Sequence, residues 1–234
     1  MIRKTLLLTI FTLFSAISFA SVGYDWNLYD ESYIGNFHKI NETDPEPTYT
    51  GRTVFYVDSA STTSSDSNPG TAELPWKTLY KANQVVTSGT TIIIQSGNYE
   101  DPIAPPVDGT PEFPIIYTSD ENDYIPRLKA LTGIDLTNRK HIVVRRVNTF
   151  GNTKAVDLTN ASNSMISDVI VENSSRYGVY LNGSSDIVMD NFLFDDYSTP
   201  SIHVHDEGGT STKILMTNFS TESSNTPTTT PLTR

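Results

Sequence analysis

Between Leu128 and Phe219 the apolar positions return with a period of 22 or 23 residues. The triplets Ile134-Asp135-Leu136, Val156-Asp157-Leu158, Val179-Tyr180-Leu181 and Ile202-His203-Val204 each read apolar, variable, apolar. That is the alternation of a strand with two side chains inward and one outward. A second series, Ile142, Met165, Ile187 and Ile214, runs out of phase with the first at steps of 22 to 27 residues. Each member opens an apolar run that includes Val147, Ile170, Phe192 or Phe219. Two strand families on one period, separated by Asn, Gly, Ser and Thr, predict a solenoid of parallel coils. The Leu and Asn framework of a leucine-rich repeat is missing. The fold class is therefore all-β, a right-handed parallel β-helix.

The stretch before the repeats reads as its lid. Val54 to Val57 is a strand by composition. Residues 58–70 form a Ser/Thr-rich loop. From Pro75 to Val86 the apolar residues Trp76, Leu79, Ala82 and Val86 recur at helical spacing, with Pro75 suited to a first turn and Gly89 just past the end. Thr91 to Ile94 is a buried strand, and Gly97-Asn98-Tyr99 turns the chain. The first coil of a solenoid has nothing beneath it, so its core and strand edges need a cover. A short amphipathic capping helix supplies one.

Stacking sets where chemistry can sit. Equivalent residues on adjacent coils lie about 4.8 Å apart, so outward residues form columns. The first series gives the column Asp135, Asp157, Tyr180, His203. Two stacked carboxylates either share a proton, bind a cation or splay toward water. Ca²⁺ suits an oxygen-rich extracellular site, with Asp195 and Asp196 as further acidic candidates. Tyr180 offers a ring for a sugar to stack on, and His203 a titratable group beside it. The second series gives Arg145, Asp168, Asp190 and Thr217, with Arg145 and Asp168 expected to pair across coils. Asn160, Asn163, Asn173 and Asn182 read as turn residues that satisfy backbone groups.

The ends and the composition narrow the setting. Residues 1–20 have the plan of a secretory signal: Arg3 and Lys4, an apolar run from Leu6 to Phe14, then Ser18-Phe19-Ala20. The expectation is a secreted protein, because the run is short for a membrane span. Residues 21–50 read as a linker or arm, 51–222 as the β-helix domain, and 223–234 as a Ser/Thr/Pro-rich tail. There is no Cys, so no disulfide holds the chain together. The net charge of −11 argues against nucleic acid as a partner. No membrane association is expected, and a monomer is.

The stretch from Phe55 to Ser119 resembles a known family. The features that carry the resemblance are Tyr56-Val57, Ser67-Asn68-Pro69-Gly70-Thr71, Pro75-Trp76-Lys77-Thr78, Ile92-Ile93-Ile94, Gly97-Asn98-Tyr99, and Gly109-Thr110 leading to Pro114-Ile115-Ile116. They resemble the N-terminal cap and first coils of secreted pectate-lyase-like β-helix proteins, including polysaccharide lyases of families 9 and 6. The resemblance implies cleavage of pectate-like or alginate-like uronic-acid polysaccharide by β-elimination. In that chemistry Ca²⁺ neutralises the uronate, and a Lys or Arg removes the adjacent proton. Lys154, near the carboxylate column, is the candidate base; Arg146, at a coil corner, is a candidate substrate contact with Tyr180 and His203. Family members carry more coils, so the chain is expected to be an N-terminal fragment. The family's compact Asp cluster followed by a coil with the catalytic Lys is absent, and Asp195-Asp196 is the nearest partial match. The alternative is a non-catalytic glycan-binding or adhesin-type surface protein. Glycoside hydrolysis, which needs two carboxylates flanking a bond, is a third option.

Overall fold

The structure, a computed structural model, describes residues 52–120, 123–195, 202–203 and 211–221, with backbone alone at 202, 203 and 221. The signal (1–20), the arm (21–50) and the tail (223–234) of the sequence reading lie outside the described residues.

In chain order the strands are β1 (Thr53–Val57), β2 (Thr90–Ile94), β3 (Asn98–Tyr99), β4 (Ile115–Ser119), β5 (Arg127–Leu128), β6 (Thr132–Asp135), β7 (Ile142–Phe150), β8 (Lys154–Asp157), β9 (Ser162–Glu172), β10 (Tyr177–Tyr180), β11 (Ser185–Asp195), β12 (Ile202–His203) and β13 (Thr212–Thr221). One sheet runs β1-β2-β4-β7-β9-β11-β13, with β3 paired to β5 and β5 to β7; the other runs β12-β10-β8-β6. The pairings are parallel. From β6 onward the chain alternates between the two sheets, one strand to each per coil. This is a right-handed parallel β-helix. Its core is a ladder of aliphatic side chains, with Ile134, Leu136, Val156, Leu158 and Leu181 fully buried. At the last described coil the ladder becomes aromatic, with the Phe192 and Phe219 rings stacked at 5.1 Å.

The long strands bend midway. Arg146, Asp168, Asn191 and Asn218 have φ of 55°, 54°, 53° and 54°, and each is skipped in the pairing register. A residue in the left-handed region breaks the ladder and turns the strand. Each coil therefore presents three faces. The Asp168 carboxylate accepts from Asn191 Nδ2 at 2.7 Å, one coil above. The turn column works the same way: Asn160 Nδ2 donates to Asn138 Oδ1 at 3.1 Å.

The long-strand register differs by one residue in β9 from the sequence reading. Val143 pairs with Met165 and Ile187 with Ser164, so the inward column is Ile142, Ser164, Ile187, Ile214. Likewise Val169, not Ile170, stands between Val147 and Phe192. The physical reason is Ser164. It is 5 % exposed, and its hydroxyl accepts from Ile142 N at 3.1 Å and donates to Ser162 O at 2.9 Å. A satisfied hydroxyl sits in a core position that hydrophobicity assigns to Met165. The outward column shifts too, to Arg145, Ser167, Asp190, Thr217. Arg145 Nε still reaches Asp168 Oδ2 at 4.0 Å across the bend.

The cap helix, α1 (Leu79–Val85), is shorter than its apolar spacing predicts. Pro75 and Trp76 precede it, and Trp76 bridges Val57 as a strand residue. Thr78 is the N-cap, its hydroxyl accepting from Lys81 N at 3.1 Å, and Asp66 in turn accepts from the backbone N–H of Lys77 and Thr78. Leu79 and Ala82 close the core. Gly70 has φ +82°, and a Cβ there would meet the Trp76 ring at 2.6 Å, which is why glycine ends the loop before it. Two tyrosines tie this end together. Burial pushes the Tyr99 phenol up to about 12, and its hydroxyl lies 2.9 Å from Gln95 O. Burial also pushes the Tyr117 phenol far above its ordinary value, while its hydroxyl donates to Asn83 Oδ1 at 2.9 Å.

Candidate functional site on the short-strand sheet

The strands β6, β8 and β10 share a four-residue plan. Their third residues, Ile134, Val156 and Val179, enter the core. Their second residues are small: Gly133, Ala155 and Gly178. A Cβ on Gly133 would meet Thr149 Cγ2 at 2.7 Å, so the corner admits nothing larger. The first and fourth residues are left for the outer face. Asp135 pairs with Asp157, Asp157 with Tyr180, and Tyr180 with His203. The predicted column thus forms in register, with His203 placed by its backbone. Beside it stands a second column, Thr132, Lys154, Tyr177.

These columns interlock. Lys154 Nζ lies 2.6 Å from Asp157 Oδ2 and 4.1 Å from the centre of the Tyr180 ring. The Tyr177 and Tyr180 rings meet at 5.1 Å, tilted by 48°. The exposed Arg176 guanidinium stands 4.8 Å from the centre of the Tyr177 ring. No carboxylate pairs with Arg176 among the described residues. The face therefore carries two aromatic rings flanked by two cations, one of them already holding a carboxylate.

The carboxylates have local work. Asp135 Oδ1 accepts from Thr137 N at 3.0 Å. Asp157 Oδ1 accepts from Thr159 N at 3.1 Å and Thr159 Oγ1 at 2.7 Å. Each is an Asx turn that closes its strand. The signal was in the chain, as the repeated Asp-Leu-Thr-Asn at 135–138 and 157–160. Asp157 is 7 % exposed, and both of its oxygens are engaged. Ca²⁺ takes six to eight oxygen ligands, and among the described residues no group of three His, Cys, Asp or Glu is placed to hold a metal. The donor set at Asp135 and Asp157 does not fit that ion as it stands.

The remaining candidates fall elsewhere. Arg146 sits at the bend of β7 in the other sheet, donating to Asp120 O at 2.7 Å and Asp123 O at 3.1 Å. It clamps a loop and is not brought to the column. Asp195 ends β11 beside Glu172, also in the other sheet. Asp196 lies outside the described residues. Arg176 was missed in the sequence because it precedes its strand and belongs to no repeat column.

Comparison with known proteins agrees with this architecture. Residues 117–225 match the family model for the right handed beta helix region. The uncharacterized protein YwoF of Bacillus subtilis (strain 168) is 29 % identical over 122 residues, 52 % of this chain and 24 % of that protein. Two solved structures share the fold. The GH136 lacto-N-biosidase from Eubacterium ramulus aligns with a TM-score of 0.58 at 12 % identity, over 71 % of this chain and 41 % of that one. A rhamnogalacturonan lyase aligns with a TM-score of 0.53 at 19 % identity, over 72 % of this chain and 51 % of that one. The chain thus spans about a quarter to a half of these relatives.

Proposed function

We propose that this is a secreted, polysaccharide-active β-helix protein that binds an acidic polysaccharide across the outer face of β8 and β10. The observation that carries the reading is the Tyr177–Tyr180 pair flanked by Lys154 and Arg176. Aromatic rings pack against the C–H face of a sugar. The two cations match a uronate carboxylate, and Arg176 can fork toward one because no carboxylate among the described residues competes for it. The overall charge of −11 repels a polyanion at long range, but salt at physiological strength screens beyond about 8 Å. Contact is then decided locally. The fold neighbours named a lacto-N-biosidase and a rhamnogalacturonan lyase support a carbohydrate as the partner.

A second reading, Ca²⁺-dependent β-elimination with Lys154 as base, has one observation in its favour: Asp135 and Asp157 do stand in register on adjacent coils. The resemblance of the cap to lyases of families 9 and 6 supports it. It requires Asp157 to release both Lys154 and Thr159, so the geometry favours binding.

One experiment separates them. The full chain is titrated with polygalacturonate in Ca²⁺ and then in chelator, while absorbance is followed in the unsaturated-uronate band. Binding that survives chelation without an absorbance rise supports the binding reading. A Ca²⁺-dependent rise that Lys154→Ala abolishes supports the lyase. No binding under either condition sinks both.

A further inference from the structure

A groove lies at the N-terminal end of the same face. The helix α1 lines one side with Tyr80, Asn83 and Gln84; Asp101, Pro102 and Ala104 line the other, around a volume of about 310 Å³. Ile103 bridges Ile134 in parallel, its N–H donating to Gly133 O at 3.0 Å and its carbonyl accepting from Asp135 N at 2.8 Å. The segment 101–104 is therefore one more rung of the short-strand sheet. Ala104 stands beside Asp135, at the foot of the column that ends in Tyr180 and His203. At about 4.8 Å per rung, the groove lies roughly 14 Å from Tyr180.

The groove is built rather than incidental. Asn83 fixes its walls, Nδ2 donating to Pro102 O at 2.9 Å and Oδ1 accepting from Ala104 N at 3.3 Å and from the Tyr117 hydroxyl at 2.9 Å. Asp101 Oδ2 accepts from Tyr80 N at 3.3 Å, which holds the helix start against the rung. Two groups remain for a ligand. Tyr80 is 59 % exposed, so its ring is open to a ligand. The Gln84 amide has no protein partner among the described residues.

The chemistry of this lining differs from that of the aromatic pair. Among the described residues its one charged group is Asp101, and no cation lines it. A uronate would meet a carboxylate with nothing to offset it. A neutral sugar would pack on Tyr80 and the proline walls, give hydroxyl protons to Asp101 and exchange hydrogen bonds with Gln84. We propose that this cap groove is a second saccharide subsite, selective for an uncharged sugar residue, three rungs from the cation-flanked tyrosines. The inference rests on the proposed binding of polysaccharide across the short-strand face. It adds that the polymer carries both neutral and acidic residues and runs along the helix axis.

The test uses the full chain and two probes, polygalacturonate and the same polymer with about half of its carboxylates methyl-esterified. Wild type is compared with Tyr80→Ala, Gln84→Ala and Tyr180→Ala, each checked for an unchanged melting transition. The subsite predicts tighter binding of the half-esterified polymer. Tyr80→Ala then weakens that binding roughly fivefold, the scale of one aromatic contact, and removes the preference while leaving polygalacturonate affinity nearly unchanged. If Tyr180→Ala weakens binding and the two groove variants do not, the groove inference fails and the reading of the face stands. If wild type binds neither polymer, both fall together.

Discussion

Lys154 and Asp157, three residues apart on one strand, hold each other at 2.6 Å on the outer face of the β-helix. Strict alternation would send them to opposite faces. Lys154 instead enters from the coil corner and lies over Tyr180, so one cation links a carboxylate to a ring on the next coil. Lys154→Ala is expected to weaken polygalacturonate binding about tenfold, or ~1.4 kcal/mol, and to leave the fold intact because Thr159 still engages Asp157. Titration calorimetry with a parallel melt checks both halves.

Arg176 differs from Lys154 in having no carboxylate partner among the described residues. Its contribution should therefore carry much of the salt dependence of binding. Raising salt is expected to weaken wild-type binding more steeply than that of Arg176→Ala. Equal salt slopes for the two proteins would remove Arg176 from the interface.

Ser164 tests the register. Ser164→Ala strips Ile142 N of its acceptor and should destabilise the protein by about 1–3 kcal/mol, the cost of a buried unsatisfied donor. Met165→Ala, on the outer side of the same strand, should cost under about 1 kcal/mol. Urea unfolding of the two variants gives the comparison, and the opposite order would mean that Met165 is the core residue.

How far the sequence disclosed this architecture turns on such positions. The column Asp135, Asp157, Tyr180, His203 was legible because each member is flanked by aliphatic residues that must both point inward. The register of β9 was not, since Ser164 is inward only by virtue of hydrogen bonds invisible to a hydropathy pattern. The helix was overextended because Trp76 falls at helical spacing from Leu79, although its backbone pairs with β1 and its ring stacks on Phe55. At the site, the stacked aspartates suggested a cation. Their partners show why the residue recurs: each carboxylate closes an Asx turn, and one also holds Lys154.

The titratable groups away from the site set the pH limits. Backbone hydrogen bonds from Ser96, above all, hold the Asp123 carboxyl below its ordinary value. Burial holds His141 below its own. In both cases the unfolded chain binds more protons across the window, so stability is full above the unfolded pKa and is lost as pH falls through the folded one. Tyr99 works in the opposite sense. Its phenol is raised to about 12, so its contribution is full below about 10, the ordinary tyrosine value, and is lost as pH rises toward 12. Melting temperature should fall on both flanks, and Tyr99→Phe should remove part of the loss between pH 10 and 12, the buried Tyr117 phenol carrying a further share, at a cost of about 1–2 kcal/mol at neutral pH.

The most direct measurement is the affinity of the full chain for polygalacturonate with and without the Tyr180 ring, in chelator. The account predicts measurable binding by wild type and at least about a tenfold loss in Tyr180→Ala, equivalent to ~1.4 kcal/mol, with an unchanged melt. Equal affinity of the two proteins, or no binding by the folded wild type, would contradict it.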